Sequence, residues 1–269
     1  MTSRSTRRQS VRSLCMAALI AMLFCTAAGP ACAAELRIAA VERNAVGWVA
    51  SHLLACIYKE AGLSMRVQAV PGNRAHLMAL EGTVDGELVR MRDYTDSAAN
   101  LVRVDPPLYR ISIVAFSMAA RHVRIQSPSD LRHYTVGALR GMTSAQTLTR
   151  KLDAVTLTSS PDQMFHMLQL GRIDAALEAR LSGAYAAQRV HAQDLVSSPE
   201  LAHVELHHYL NVRHKDSAAR LNATLERLQK SGALQRMTAY FEQQVFQVDL
   251  DHWTETEMPE ASCVRLGQP

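Results

Sequence analysis

A seven-residue pattern occurs twice in the chain, and it constrains the fold more than any other feature. Gly82–Leu88 and Gly171–Leu177 both read glycine, any residue, a β-branched residue, aspartate, a small residue, any residue and leucine. Each copy follows a helical pattern, so the glycine can end a helix in a left-handed conformation and the β-branched residue can begin a strand. Two copies of one helix-to-strand joint predict two similarly wound α/β lobes.

The first 33 residues have the composition of a secretory signal. A basic start with four arginines precedes the uninterrupted apolar run Leu14–Phe24 and the small-residue cleavage sequence Ala31–Ala33. We therefore expect a signal peptide at residues 1–33 and an exported, periplasmic protein that begins at Ala34. The apolar run is too short to be a membrane span.

Removing this signal changes the charge of the chain. The whole sequence has 29 Lys and Arg against 25 Asp and Glu, and four of the basic residues but none of the acidic ones precede Ala34. The remaining 236 residues are therefore balanced at 25 charges of each sign, which argues against a nucleic-acid partner. That length is sufficient for two lobes, each with its own core.

Cys56 and Cys263 are the two cysteines beyond residue 33. An even pair in an oxidising compartment favours a disulfide that links the C-terminal tail to the first long helix. Two unpaired thiols are the alternative, because sequence spacing does not define the geometry that a bridge needs.

Short apolar runs alternate with helical patterns, as expected of parallel strands with crossover helices. The predicted strands and extended segments are 36–41, 65–70, 84–89, 101–104, 108–118, 135–139, 155–157, 173–177 and 204–212. The predicted helices are 47–61, 74–81, a helix from Thr143, 161–170, 182–189, 217–230 and 233–246. We therefore predict a discontinuous first lobe at 34–116 and 207–269 and an inserted second lobe at 117–206. Two crossover strands join them as a hinge.

The order of elements, the two joints, Pro106–Tyr109 before the first crossing and Tyr209–Val212 at the return resemble a known family. The chain is similar to the bacterial extracellular solute-binding proteins of family 3, the periplasmic polar amino acid-binding class. The resemblance implies the type II fold of periplasmic binding proteins, with two lobes that close on a small ligand. In most members it also implies delivery of that ligand to an ABC-type importer.

The chain departs from the family's residue pattern in two places. Members usually carry Thr-x-x-Arg before the first crossing, and its arginine holds the ligand carboxylate. The matching region here, residues 94–98, reads Tyr-Thr-Asp-Ser-Ala. Members also tend to place an aspartate for the ligand's α-amino group five residues after Asp174, where this chain has Ala179. Both groups that hold an α-amino acid are therefore missing at the matching positions, so the chain resembles a divergent member of the family.

Ligands of open α/β sheets bind beyond the carboxyl ends of the strands. The ligand-binding residues that this rule selects are Glu42, Arg43, Arg74, Glu87 and Arg90 in the first lobe, Arg140, Gly141, Thr143 and Glu178 in the second, and Tyr109 as a wall. With Arg92 and Arg180 nearby, six arginines stand against three glutamates. Guanidinium groups recognise carboxylates and phosphates, so this excess predicts an anionic or zwitterionic solute.

Other functions are alternatives to this one. His203 and His207 have the spacing of metal ligands, but on a strand they lie about 13 Å apart, so we expect neither a metal nor a cofactor. Common catalytic motifs are missing, which favours a binding protein, with a hydrolyase that uses a cleft glutamate as general acid as the alternative. A monomeric protein of this kind would serve an ABC permease or, alternatively, present its ligand to a membrane sensor.

Overall fold

A computed structural model describes residues 35–71, 74–92, 100–140, 142–256 and 263 of the chain. Two groups of parallel strands form the framework of the fold. The strands are β1 Leu36–Val41, β2 Met65–Val70, β3 Gly86–Met91, β4 Leu101–Arg103, β5 Tyr109–Met118, β6 Val136–Leu139, β7 Val155–Thr158, β8 Ala175–Ala179, β9 Leu195–Ser197, β10 Ala202–Asn211 and β11 Glu255–Thr256. The helices are α1 Ala45–Glu60, α2 Arg74–Leu80, α3 Thr143–Thr149, α4 Pro161–Gln169, α5 Arg180–Arg189, α6 Lys215–Lys230 and α7 Ala233–Gln244. The chain is thus mixed α/β, as the alternating patterns predict.

The order of strands is the same in both groups. In the first group β2, β1, β3 and β10 lie side by side. Strands β2, β1 and β3 are parallel, and β10 runs antiparallel to them beside β3. In the second group β7, β6, β8 and β5 repeat this order, again with an antiparallel last strand. We call each group, with the helices packed on it, the first and the second lobe.

The two antiparallel strands also pair with each other. Residues Tyr109–Ile113 of β5 lie opposite Ala202–Leu206 of β10, and each strand then continues into its own lobe. The chain therefore crosses between the lobes twice through one two-stranded ribbon, as the extended patterns predict. The residue boundaries 34–116, 117–206 and 207–269 stay a prediction.

Both repeated joints begin with the conformation that the pattern predicts. Gly82 has a φ of 72° and Gly171 a φ of 65°, in the left-handed region that glycine tolerates best. Strands β3 and β8 begin at Gly86 and Ala175, two residues later than predicted. The prediction of the strand starts was wrong because the side chain of the aspartate before each strand bonds to the backbone at the start of the lobe's first strand. The regular strand pairing therefore begins only after the aspartate.

The aspartate of each joint links the joint to the first strand of its lobe. Asp85 accepts the N–H of Arg37 at 2.8 Å, and Asp174 accepts the N–H of Thr135 at 2.9 Å. An arginine that follows a crossing strand donates to the other carboxylate oxygen: Arg213 to Asp85 and Arg121 to Asp174. The two lobes are therefore fastened in the same way at the same place.

Helix α1 is almost wholly buried and forms much of the first lobe's core. It begins two residues before the predicted start because the side chain of Asn44 accepts the N–H of Gly47 at 3.0 Å and caps the helix. Near its other end, the hydroxyl of Tyr58 is 2.9 Å from Nε2 of His208 on β10. Burial lowers the pKa of His208 to about 4, so this contact joins two neutral groups at pH 7.

The C-terminal segment returns to the first lobe. Strand β11 pairs antiparallel with β2, with Glu255 opposite Gln68. Cys263 forms a disulfide with Cys56 of α1, and their Cα atoms are 5.3 Å apart. The bridge that the even cysteine count favours is thus present, and it attaches the tail to the helix at the centre of the lobe.

The predicted signal peptide, residues 1–33, lies outside the described residues. Among the helices that the structure describes, none is long and apolar enough to span a bilayer.

Replacing Asp85 with Asn should destabilise the protein at pH 7. Burial raises the pKa of Asp85, but hydrogen bonds from the Arg37 N–H, Arg213 and His214 outweigh burial and lower the pKa to about 2. Since this lies below the ordinary value of 3.8, the stabilisation is present above about pH 4 and is lost as the pH falls towards 2. We expect a loss of about 1–2 kcal/mol after solvent screening, measured by denaturant unfolding.

Asp153→Asn is the matched control, because Asp153 is exposed and should tolerate the same change at little cost. Equal stability of Asp85→Asn and Asp153→Asn at pH 7 would contradict the role that we assign to the joint.

Candidate functional site

The carboxyl ends of the parallel strands define the candidate site. Glu42 and Arg43 directly follow β1, Arg74 begins α2 after β2, and Arg140 directly follows β6. Carboxyl ends of parallel strands meet at one edge of a sheet, and each lobe therefore presents these residues at one edge. Gly141 lies outside the described residues. For Thr143 the structure describes the backbone, which begins α3.

Among the candidate arginines at the described strand ends, Arg74 and Arg140 have side chains without a partner. Arg74 and Arg140 are both exposed. Neither guanidinium has a hydrogen bond or an ion pair with another described residue; the contacts of both residues are backbone N–H bonds, to Pro71 O and Thr158 O. One cationic group at a strand end of each lobe is thus free to bind an anion.

Arg43 is held differently, by two carboxylates. Its backbone is left-handed, with a φ of 53°, which turns the chain between β1 and α1. Its guanidinium lies 3.9 Å from a carboxylate oxygen of Glu42 and 3.9 Å from one of Asp251. The side chain is 66% exposed, so these contacts are weak and leave it able to exchange partners.

Glu87 and Arg90 are brought together by an irregularity in β3. Residues three apart lie on opposite faces of a regular strand, but the pairing of β3 with β10 shifts between His207 and Tyr209. This bulge places both side chains on one face, where Arg90 donates to Glu87. His76 of α2 bonds the other carboxylate oxygen of Glu87 at 3.0 Å. Glu87 is 2% exposed, so this network lies inside the first lobe.

Tyr109 lies in the core of the first lobe. It is buried, and its hydroxyl donates to Glu242 of α7 at 2.6 Å. Burial and this carboxylate raise the pKa of Tyr109 well above its ordinary value. A role for Tyr109 as a wall of the cleft stays a prediction.

Glu178 is the fully buried carboxyl of the second lobe. It lies on β8 opposite Val114 of β5, and its Oε1 accepts the N–H of Ala179 at 2.8 Å. Its Oε2 has no hydrogen-bond partner among the described residues. Burial raises the pKa of Glu178 to about 7, and the Ala179 N–H opposes this only in part. The carboxyl therefore keeps its proton at mildly acidic pH, where an ordinary glutamate is ionised.

The end of β8 offers no carboxylate to a ligand's amino group. Ala179 is 3% exposed, and Glu178 beside it is turned onto the backbone. The other family position, at residues 94–98, lies outside the described residues.

The histidines near β10 have separate partners. His207 Nδ1 is 2.9 Å from Asp105, and His208 binds Tyr58 on the opposite face of the strand. His203 and His214 contact Glu200 and Asp85. In the described part of the chain no group of three or more His, Cys, Asp or Glu is arranged to hold a metal ion.

Sequence reasoning missed the partners of the predicted residues. His76 and Asp251 contact Glu87 and Arg43, yet they lie outside the strand ends that the rule selects. Asp251 comes from the far C-terminal part of the chain, and no local pattern signals its position.

Comparison with known proteins supports the fold. No protein-family model matches the chain. An uncharacterized protein of Shewanella oneidensis is 26% identical over 193 residues, 66% of this chain and 69% of that protein. A histidine kinase sensor domain with similarity to periplasmic binding proteins has a TM-score of 0.66 at 16% identity, covering 78% of this chain and 96% of that one. An amino acid ABC transporter substrate-binding protein from Streptococcus pneumoniae, bound to L-arginine, has a TM-score of 0.63 at 15% identity, covering 79% and 96%.

The chain therefore has the two-lobed fold of type II periplasmic binding proteins. The structural neighbours are solute-binding domains of a transport protein and of a sensor kinase. At these identities the likeness concerns the fold, and ligand and partner are argued separately below.

Replacing Glu178 with Gln should remove a pH dependence from the protein's stability. The folded pKa of about 7 exceeds the ordinary value of 4.5, so folding favours the protonated form. The stabilisation is present below about pH 4.5 and is lost as the pH rises through 7. Between pH 5 and pH 8 we expect the wild type to lose about 2 kcal/mol more than Glu178→Gln, measured by denaturant unfolding.

Glu226→Gln, at an exposed position, is the control and should follow the wild type. His208 titrates in all three proteins and cancels from the comparison. Parallel pH profiles for the wild type and Glu178→Gln would contradict the raised pKa.

Proposed function

We propose that the chain is a periplasmic solute-binding protein that closes its two lobes on a small anionic or zwitterionic solute for an ABC-type importer. The observation that carries the proposal is the repeated strand order of the two lobes, joined by the β5–β10 ribbon. A ribbon of this kind bends with small backbone changes, and two lobes around it can close on a ligand.

The charge at the strand ends supports a carboxylate or another oxyanion as the bound group. Arg74 and Arg140 have uncommitted guanidinium groups, and Arg43 holds its carboxylates loosely at 3.9 Å. Charge-assisted bonds from guanidinium to carboxylate are among the stronger hydrogen bonds in proteins. The apolar Ala179 and the inward Glu178 provide no counterpart for an amino group. These features favour an organic acid over an ordinary α-amino acid.

A sensory role is the second candidate. The likeness to a histidine kinase sensor domain favours a protein that presents its solute to a membrane receptor. Binding of the solute would be the same in both roles, and the partner would differ.

The placement of Glu87 and Glu178 favours binding without catalysis. Glu87 is paired with Arg90 and His76, and Glu178 is enclosed in the second lobe. A general acid must reach the proton acceptor of its substrate, and neither carboxyl is accessible in this structure. We therefore expect the bound solute to be released unchanged, which chromatography of the eluted ligand checks.

A thermal-shift screen of the mature protein against organic acids and amino acids tests the proposal. A solute at a thousand times its dissociation constant should stabilise the protein by about 4 kcal/mol. Arg74→Ala and Arg140→Ala should each weaken binding of an organic acid about 10- to 100-fold, because each removes a charge-assisted hydrogen bond. Titration calorimetry measures the loss.

Arg150→Ala is the matched control, because Arg150 is exposed and follows the C-terminal end of α3, away from the strand ends. Stabilisation by ordinary amino acids alone, or equal affinities in all the arginine variants, would argue against an anion held by these residues.

A further inference from the structure

A nine-residue segment lies between the two lobes after the last long helix. We call Val245–Trp253 the strap; it begins with a short 3-10 turn, Val245–Gln247. Val245, Leu250 and Trp253 are buried at 0%, 1% and 7% exposure in the main hydrophobic core. These apolar side chains anchor the strap in the core, and its polar groups can bond to other elements.

The strap belongs to the first lobe at both of its ends. Upstream it continues directly from α7, which packs on α1. Downstream, the carbonyl of Thr254 accepts the N–H of Ala69 at 2.9 Å, and β11 then pairs with β2. The Cys56–Cys263 disulfide closes this attachment. The strap therefore moves with the first lobe.

The strap's backbone is bonded to the second lobe. The hydroxyl of Tyr185 on α5 donates to the carbonyl of Val248 at 2.7 Å and accepts the N–H of Leu250 at 3.2 Å. The amide of Gln188, one turn further along α5, donates to the carbonyl of Phe246 at 3.3 Å. Tyr185 is 9% exposed, so its two bonds are shielded from water and worth more than surface bonds.

Asp251 of the strap lies between arginines of both lobes. One oxygen accepts from Arg189 of α5 at 2.9 Å, and the other lies 3.9 Å from Arg43 of the first lobe. Asp162 of α4 also contacts Arg189, at 3.1 Å. Asp251 thus presents a carboxylate to arginines of the two lobes, the same chemistry that we propose for the solute.

We propose that the strap is a clasp that holds the lobes closed without a solute, through its bonds to Tyr185 and Gln188 and through Asp251. The inference rests on the proposed function, because it assumes lobes that open and close about the ribbon. Every contact that forms only in the closed arrangement favours that arrangement. If the solute binds the closed form, its apparent affinity is higher for a protein that is already closed, because a smaller fraction of the protein is open.

Small-angle X-ray scattering of the solute-free protein tests the clasp. Tyr185→Phe removes one hydroxyl, and Asp251→Asn removes one charge. Each lost hydrogen bond should lower the closed-to-open ratio about fivefold. The double variant Tyr185→Phe/Asp251→Asn should therefore have a larger radius of gyration than the wild type, with each single variant in between.

Asp249→Asn is the matched control. Asp249 is a strap carboxylate that bonds His252 and the N–H of Asp251, both within the strap. Its variant should scatter like the wild type. Circular dichroism melting establishes that each variant is folded, and Asp251→Asn changes a half-exposed side chain that the core does not need.

Equal radii of gyration for the wild type, Asp249→Asn and the double variant would overturn the clasp. This outcome is separate from failure of the proposed function, because the scattering needs no solute. If the screen finds no ligand but the double variant expands, the clasp stands and the solute proposal falls. If a solute binds and the radii are equal, the solute proposal stands and the clasp falls.

Discussion

The antiparallel pairing of β5 with β10 is the contact on which both lobes depend. Tyr109–Ile113 and Ala202–Leu206 form one backbone ladder, and each strand then joins the sheet of its own lobe, β10 beside β3 and β5 beside β8. The exposed ion pair between Arg110 and Glu205 spans the same ribbon at 3.0 Å, but such pairs contribute at most about 1 kcal/mol. The ladder's hydrogen bonds, not this pair, therefore hold the ribbon together.

The repeated joint holds the framework together. Asp85 and Asp174 both accept a backbone N–H at the start of their lobe's first strand and a guanidinium from just beyond a crossing strand. Each aspartate thus links the two ends of its lobe's chain segment. The site that we propose for the solute lies at the opposite, carboxyl ends of the strands, where the two lobes share no common sequence.

Local patterns predicted most of the long elements but not their contacts. The apolar runs of β1 and β2 predicted Leu36–Val41 and Met65–Val70 as the structure has them. The pairing of Glu87 with Arg90 depends on a bulge against β10, and bulges arise from the register of distant strands. Asp251 meets Arg43 because the tail returns to the first lobe, which no window of neighbouring residues encodes. That the guanidinium groups of Arg74 and Arg140 have no partner among the described residues likewise follows only from the three-dimensional positions of the carboxylates.

The central place of β10 also sets an order of assembly during synthesis. The strands β5 to β8, within residues 109–179, precede β10 in the chain and can complete most of the second lobe's sheet before β10 emerges. The first lobe must wait, because β10 fills the gap beside β3 only after the whole second lobe has been made. Until then β3 has an unpaired edge, and exposed edges are the positions at which nascent chains aggregate. A late central strand thus makes the first lobe the one that is vulnerable to misfolding.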